Sequence, residues 1–267
     1  MTTLSGALSY KQKYSPTLIA STISLQSRDK MQPKQLKIPC VDCHLCHVCL
    51  SKTLDALGLE KLNRVIRKLG PFRKGQHLFQ EGDEFRSLYF IRSGAVKSYS
   101  ATANGNELGV SFYLPGETIG LDGLYTKRHA SSVVALEDTF VCEFPFHALE
   151  NLLATQPLMQ KHFNELLSRQ LVQNQAMILL HSQKTADEQL AAFLINLSQR
   201  YKRLKLSSLS FRLPMTRRDI ALCLGLAYET VSRLFSNFQQ RSWMSVEGRE
   251  ITLMNMPNVY IGSLEQS

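Results

Sequence analysis

The stretch PMTRRDIALCLGLAYETVSRLFSNFQQ, residues 214–240, decides the reading of this chain. Its first half opens a helix. Thr216 is placed to cap it, and Asp219, three residues on, is placed to close a capping box. Ile220, Ala221 and Leu224 supply an apolar face. Gly225 falls where a sharp turn needs positive φ, and Leu226 packs behind it. A second helix is predicted over 227–240, with Val231, Leu234, Phe235 and Phe238 inward and Glu229, Ser232, Arg233 and Ser236 outward. This is a helix-turn-helix, whose second helix reads DNA. Arginine matches the two acceptors of guanine, and glutamate accepts from cytosine N4. Glu229 and Arg233 also lie four apart, so a simple surface ion pair is the competing reading. Thr216, Arg217 and Arg218, at the start of the first helix, complete the predicted DNA-contacting set.

Toward the C-terminus, residues 244–246 and 251–253 flank Glu247-Gly248 and read as a hairpin wing. Toward the N-terminus, Ser207–Pro214 is a connector, Arg200–Lys205 is strongly basic, and Ala186–Tyr201 is an amphipathic helix. Before it, His147–His181 carries apolar residues at spacings of three and four, interrupted only by Pro157. Such a helix packs on its own domain or pairs with a second copy. A reader with one small recognition helix needs a partner, which favours a dimer seam through Phe163, Leu167, Leu171, Asn174 and Ile178.

From Pro71 to Phe146 the texture changes. Turn signals recur about every 10 residues, the pattern of a β-sandwich or barrel. Asn104-Gly105 is predicted as a tight primed hairpin turn. Leu54–Leu69 is predicted as a short helix. Residues 1–39 are rich in Ser, Thr and Lys, without a sustained apolar period, and are expected to form a flexible basic tail.

The 267 residues suit two domains. The formal charge is +9; its excess is +5 over 1–39, zero over 40–183 and +4 over 184–267. A basic C-terminal part suits a phosphate backbone, since each neutralised phosphate releases counterions. No stretch approaches the ~18 apolar residues of a membrane span, and a cytoplasmic location is expected. Four of the six cysteines, Cys40, Cys43, Cys46 and Cys49, fall within ten residues. In a cytosolic protein such a cluster points to metal rather than disulfides. Zinc and an iron–sulfur group both accept this spacing, with His44 and His47 available to zinc. Cys-x-x-Cys redox catalysis is disfavoured, because no βαβ pattern accompanies the cysteines. Cys223 lies on the apolar side of the first helix of the helix-turn-helix and reads as core.

A β-roll of this length, one long helix, a terminal winged helix-turn-helix and the string Glu229-Thr230-Val231-Ser232-Arg233 resemble the CRP/FNR superfamily of bacterial transcription regulators. The resemblance covers about residues 40–255. It implies an α+β chain: tail 1–39, cysteine segment 40–50, a cyclic-nucleotide-binding-like jelly roll 51–150, dimerisation helix 151–183 and winged helix-turn-helix 184–267. It implies a homodimer on double-stranded DNA, reading a TTGAT-type palindrome, with a loop at Ala101–Glu107 resembling the region that touches RNA polymerase. Ala227 departs from the family, which commonly has a capping Thr there.

Nucleotide-binding members resemble Gly116-Glu117 followed by an Arg-Ser pair that holds the phosphate. Here that place reads His129-Ala130, with Arg128 one position off and turned to the other face, which weighs against cyclic AMP. Oxygen-sensing members resemble Cys-x2-Cys-x5-Cys plus a distant Cys. The resemblance therefore implies a [4Fe–4S] cluster on Cys40, Cys43, Cys49 and Cys142, with Cys46 as a possible substitute. Asn174 stands where an acidic residue would oppose pairing without the cluster, and Asn would not. The alternative is a regulator with structural zinc, or no metal, and another effector.

Overall fold

The computed structural model describes residues 34–35, 39–40, 42–102 and 104–256; most of the expected N-terminal tail lies outside them. In chain order the elements begin with β1 (Lys34–Gln35), a 3-10 turn at Leu50–Thr53, α1 (Ala56–Val65), β2 (Arg67–Phe72), β3 (His77–Phe79), β4 (Ser87–Ser93) and β5 (Val96–Ala101). Then come β6 (Glu107–Tyr113), β7 (Thr118–Ile119), α2 (Gly123–Thr126), β8 (Ser132–Ala135) and β9 (Thr139–Pro145). The C-terminal part holds α3 (Phe146–Thr155), α4 (Pro157–Gln183), α5 (Ala186–Arg203), β10 (Ser210–Arg212), α6 (Arg217–Leu224), α7 (Tyr228–Gln240), β11 (Met244–Glu247) and β12 (Glu250–Leu253).

Two sheets form the β-roll. One has the order β1-β2-β9-β4-β7 and the other β3-β8-β5-β6. Ile91, Val96 and Val133 fill the space between them. The outer face of the first sheet is also buried: Leu88, Phe90, Cys142 and Phe144 lie under Leu45, Leu50, Leu149 and Phe163. The cysteine segment and α3–α4 thus form a third layer over that sheet.

Several expectations change. The helix predicted over 54–69 stops at Val65, because Arg67 onward pairs with β9, with Lys68 opposite Cys142 and Leu69 opposite Val141. Gln35, within the predicted tail, pairs with Leu69. The helix predicted from His147 is two. Gln156 takes φ −129°, ψ 86° before Pro157, whose ring excludes the helical conformation from the residue it follows. The turn at Asn104-Gly105 is wider than a primed pair: Thr102 N–H donates to the Asn106 carbonyl at 2.9 Å, and of Asn104 and Gly105 only Gly105 has positive φ, 77°. The connector contains β10, which makes the wing a sheet of order β10-β12-β11.

The DNA-domain helices do not stand apart from the roll. Val110, Phe112 and Leu114 share one buried cluster with Leu190, Leu194, Ile220 and Phe235. Two ionic clasps cross the same boundary. Lys97 Nζ meets Asp219 Oδ1 at 2.9 Å and Glu107 Oε2 at 2.5 Å. Arg200 donates from Nε and Nη2 to Glu117 at 2.7 and 2.5 Å, and from Nη2 to the Phe112 carbonyl at 2.7 Å. Arg200, the first residue of the strongly basic run 200–205, is thus largely buried, its side chain 11% exposed.

Candidate DNA-reading surface and cysteine site

The helix-turn-helix is built by local chemistry. Thr216 Oγ1 accepts from Asp219 N at 3.2 Å, and Asp219 Oδ2 accepts from Thr216 N at 2.9 Å, completing the capping box. Hydrogen bonds from Thr216 and the Lys97 ammonium hold the Asp219 carboxyl below its ordinary range, against the opposing effect of burial. Gly225 takes φ 64°, and Leu226 N closes onto the Ala221 carbonyl at 3.0 Å. α7 begins at Tyr228 with Ala227 as N-cap, and no side chain caps it. Val231, Leu234, Phe235 and Phe238 are buried.

Glu229 and Arg233 are exposed on α7, as are Thr216 and Arg218 on the side of α6. Among the described residues no ion pair joins Glu229 to Arg233; Arg233 reaches only Thr230 Oγ1, at 3.5 Å. Ser232 is half-buried and receives Arg217 Nη1 at 3.5 Å, while the Arg217 guanidinium lies 4.7 Å over Phe235. Those two side chains brace α6 against α7.

On α4 the residues expected in a dimer seam divide. Phe163 is 6% exposed and belongs to the core over the first sheet, with Leu167 partly buried against it. The first half of α4 is committed to its own roll, which takes Phe163 out of any seam. Leu171 and Ile178 are 65% and 67% exposed, and Val172, Asn174 and Leu179 are exposed beside them.

The cysteine segment coils over the first sheet in successive turns: Cys43 N to Cys40 O, Cys46 N to Cys43 O, and Cys49 N to Leu45 O. Leu45, 2% exposed, anchors it. Cys142 rises from β9, with Lys68 opposite on β2 and Phe90 opposite on β4. Cys40, Cys43, Cys49 and Cys142 line one pocket with Pro39, Ser51, Ile66, Lys68, Phe90, Arg92 and Phe144. Cys46 is exposed and outside it. The two His47 nitrogens face carbonyls, Nδ1 that of His44 at 3.0 Å and Nε2 that of Arg203 at 3.3 Å, and the neutral ring donates to one of them. All six cysteines are free thiols. Burial pushes the Cys142 thiol up to about 12 and Cys49 to about 11, the latter against hydrogen bonds from Ser51. Cys223 is 7% exposed in the apolar core that α6 shares with α7.

This donor set tests which group fits. Tetrahedral zinc draws its sulfurs to about 2.3 Å from one ion. Four thiols around one pocket are soft donors of the kind that zinc and iron–sulfur groups both take. A four-iron cluster takes one thiolate at each iron, and Cys40, Cys43, Cys49 and Cys142 supply four thiols to this pocket.

The segment around His129 makes its own contacts. His129 is 4% exposed and stacks on Phe79 at 3.6 Å. The Asp122 carboxylate receives Ala130 N at 3.0 Å and Ser131 Oγ at 2.9 Å. Arg128 turns away, onto the Gly82 carbonyl at 2.8 Å, and Glu117 is held by Arg200.

Residues 70–156 match the cyclic nucleotide-binding domain family, and residues 188–258 the Crp-like helix-turn-helix domain family. The chain is 42% identical over 226 residues to the fumarate and nitrate reduction regulatory protein of Vibrio cholerae, covering 85% of this chain and 90% of that one. It is 42% identical over 216 residues to the transcriptional activator protein anr of Pseudomonas aeruginosa, covering 81% and 88%. Among solved structures it resembles FixK2 from Bradyrhizobium japonicum, with TM-score 0.67 and 28% identity over 74% of this chain and 96% of that one.

Proposed function

The chain belongs to the CRP/FNR superfamily of transcription regulators, and on that premise we propose that it is an oxygen- or redox-responsive regulator carrying a [4Fe–4S] cluster. It is a DNA-binding regulator and not an enzyme. The observation that carries the cluster reading is that Cys40, Cys43, Cys49 and Cys142 line one pocket while Cys46 and His47 are turned elsewhere. The relatives named for fumarate and nitrate reduction support the response to anaerobic conditions. When bound, the cluster supplies a redox-sensitive tie between segment 40–50 and β9. No helix among the described residues is long and apolar enough to cross a membrane.

The residues around the pocket carry its state to the DNA domain. Leu50, at the end of the cysteine segment, packs in one cluster with Met159 and Phe163 of α4. His47 meets the last residue of α5. Holding the segment steadies both helices. The exposed ridge of α4 at Leu171, Val172, Ile178 and Leu179 pairs with a second copy, which sets two α7 helices about one DNA turn apart on a TTGAT-type palindrome. Glu229 and Arg233 read bases there. Thr216 and Arg218 lie on the side of α6, and Ser232 and Arg217 support α7. The loop at 101–107 is the surface for RNA polymerase. His129, buried against Phe79 where nucleotide-binding members resemble an arginine, supports a reading in which cyclic AMP is not the effector.

Anaerobically prepared protein is the test. The expected result is iron and acid-labile sulfide in equal amounts, retained by Cys46→Ala and lost from Cys142→Ala. Zinc that survives Cys142→Ala would overturn the cluster reading in favour of a structural zinc site.

A further inference from the structure

The outer face of the first sheet carries two cations that the proposed function has not used. Lys68, directly opposite Cys142, is 9% exposed. Among the described residues its ammonium meets only Asn63 Oδ1, at 3.1 Å, and that same oxygen accepts the Cys40 N–H at 3.0 Å. Arg92 enters from β4, where the register shifts between Ile91 and Ser93. It is half-buried, and among the described residues its guanidinium has no hydrogen-bond or ion-pair partner. Both side chains line the cysteine pocket, and among the described residues no carboxylate does.

Placing an ammonium inside a fold without a counter-charge is costly, and such cations normally reach water or an acid. Here both converge on four thiols. We propose that Lys68 and Arg92 are the counter-charges for the anionic group assembled on Cys40, Cys43, Cys49 and Cys142, an inference that rests on the cluster reading above. A doubly positive four-iron core bound by four thiolates is formally doubly negative, and these two side chains neutralise it. Asn63 fixes the geometry: one amide oxygen holds the Lys68 ammonium and the backbone of the first ligand cysteine. Cluster charge and nearby hydrogen bonds set reduction potential, so the pair also sets how readily the group gives up an electron.

The experiment uses full-length protein reconstituted anaerobically, with Lys68→Met, Arg92→Met and the double variant. Groups that support metal ligands change affinity by about 10–100-fold when removed. Loss of iron to a chelator is expected to speed up by that factor in the double variant, with a more negative midpoint potential. Lys68→Arg is expected to behave as the parent. The metal-free protein moves the opposite way: Lys68→Met melts no lower than the parent, since an uncompensated buried charge has gone. An iron-loaded parent whose double variant has the same chelation rate and potential overturns this inference alone. So does a metal-free Lys68→Met that melts well below the parent, which would make Lys68 a structural residue. A parent without iron and sulfide overturns the cluster reading and this inference together.

Discussion

Arg200→Met removes the clasp between α5 and the β-roll, and the structure allows its cost to be worked. The Arg200 side chain is 11% exposed and that of Glu117 26%. The guanidinium makes two hydrogen bonds to the carboxylate and one to the Phe112 carbonyl. Methionine fills most of the space but leaves Glu117 with the Leu114 N–H at 3.0 Å as its remaining described partner. Breaking a buried pair from one side costs about 3–5 kcal/mol. Partial exposure of Glu117 places this case at the lower end, about 3 kcal/mol. For a chain of this size that corresponds to a fall in melting temperature of roughly 6–12 °C. Glu117→Gln alone should cost at least as much, because it leaves the more deeply buried Arg200 guanidinium without its counter-charge. The assay is a urea-denaturation double-mutant cycle with Arg200→Met, Glu117→Gln and the pair. The second substitution should cost little once the first is present, giving a coupling energy of about 1–3 kcal/mol. Additivity within about 0.5 kcal/mol would show that the clasp does not hold the two parts together.

Arg233→Ala should lose about 1–3 kcal/mol of discrimination per half-site, measured by binding to a TTGAT palindrome and to scrambled DNA. Equal loss on both would assign Arg233 to phosphate contact. Ala227→Thr should stabilise α7 by about 1 kcal/mol through the missing cap, read from the urea midpoint at unchanged slope. Leu171→Glu with Ile178→Glu should give monomers by sedimentation while leaving the circular dichroism of the fold intact, because both side chains are exposed in the single chain; a persisting dimer would place the seam elsewhere.

The helix-turn-helix was legible because its determinants are local. Thr216, Asp219 and Gly225 act within three or four residues of themselves, and the structure returns the capping box and the left-handed turn at those positions. The uncapped Ala227 was legible for the same reason. Of the cysteines, spacing and resemblance favoured Cys49 with Cys46 in reserve, but only the coil of the segment turns Cys46 outward. Phe163 shared the period of Leu171, and periodicity does not say which partner an apolar face meets; the sheet beneath it does. β10 is three residues long and its pairing with β12 is remote in sequence, so no local pattern announces it. Lys68, Arg92, Arg200 and Lys97 look like ordinary surface cations in a basic chain. Burial makes them otherwise, together with a partner from another element for Lys68, Lys97 and Arg200 and the cysteine pocket for Arg92, and none of this is written near them.

The apolar cluster that runs from Phe112 and Leu114 through Leu190 and Leu194 to Ile220 and Phe235 bears on how such a regulator is shuffled in evolution. Cutting the chain at the start of α5 would strand half of a continuous interior on each fragment. A new reading head grafted onto this roll must bring side chains that refill that interior, so specificity changes more readily by substitutions on the outward face of α7 than by exchange of whole domains.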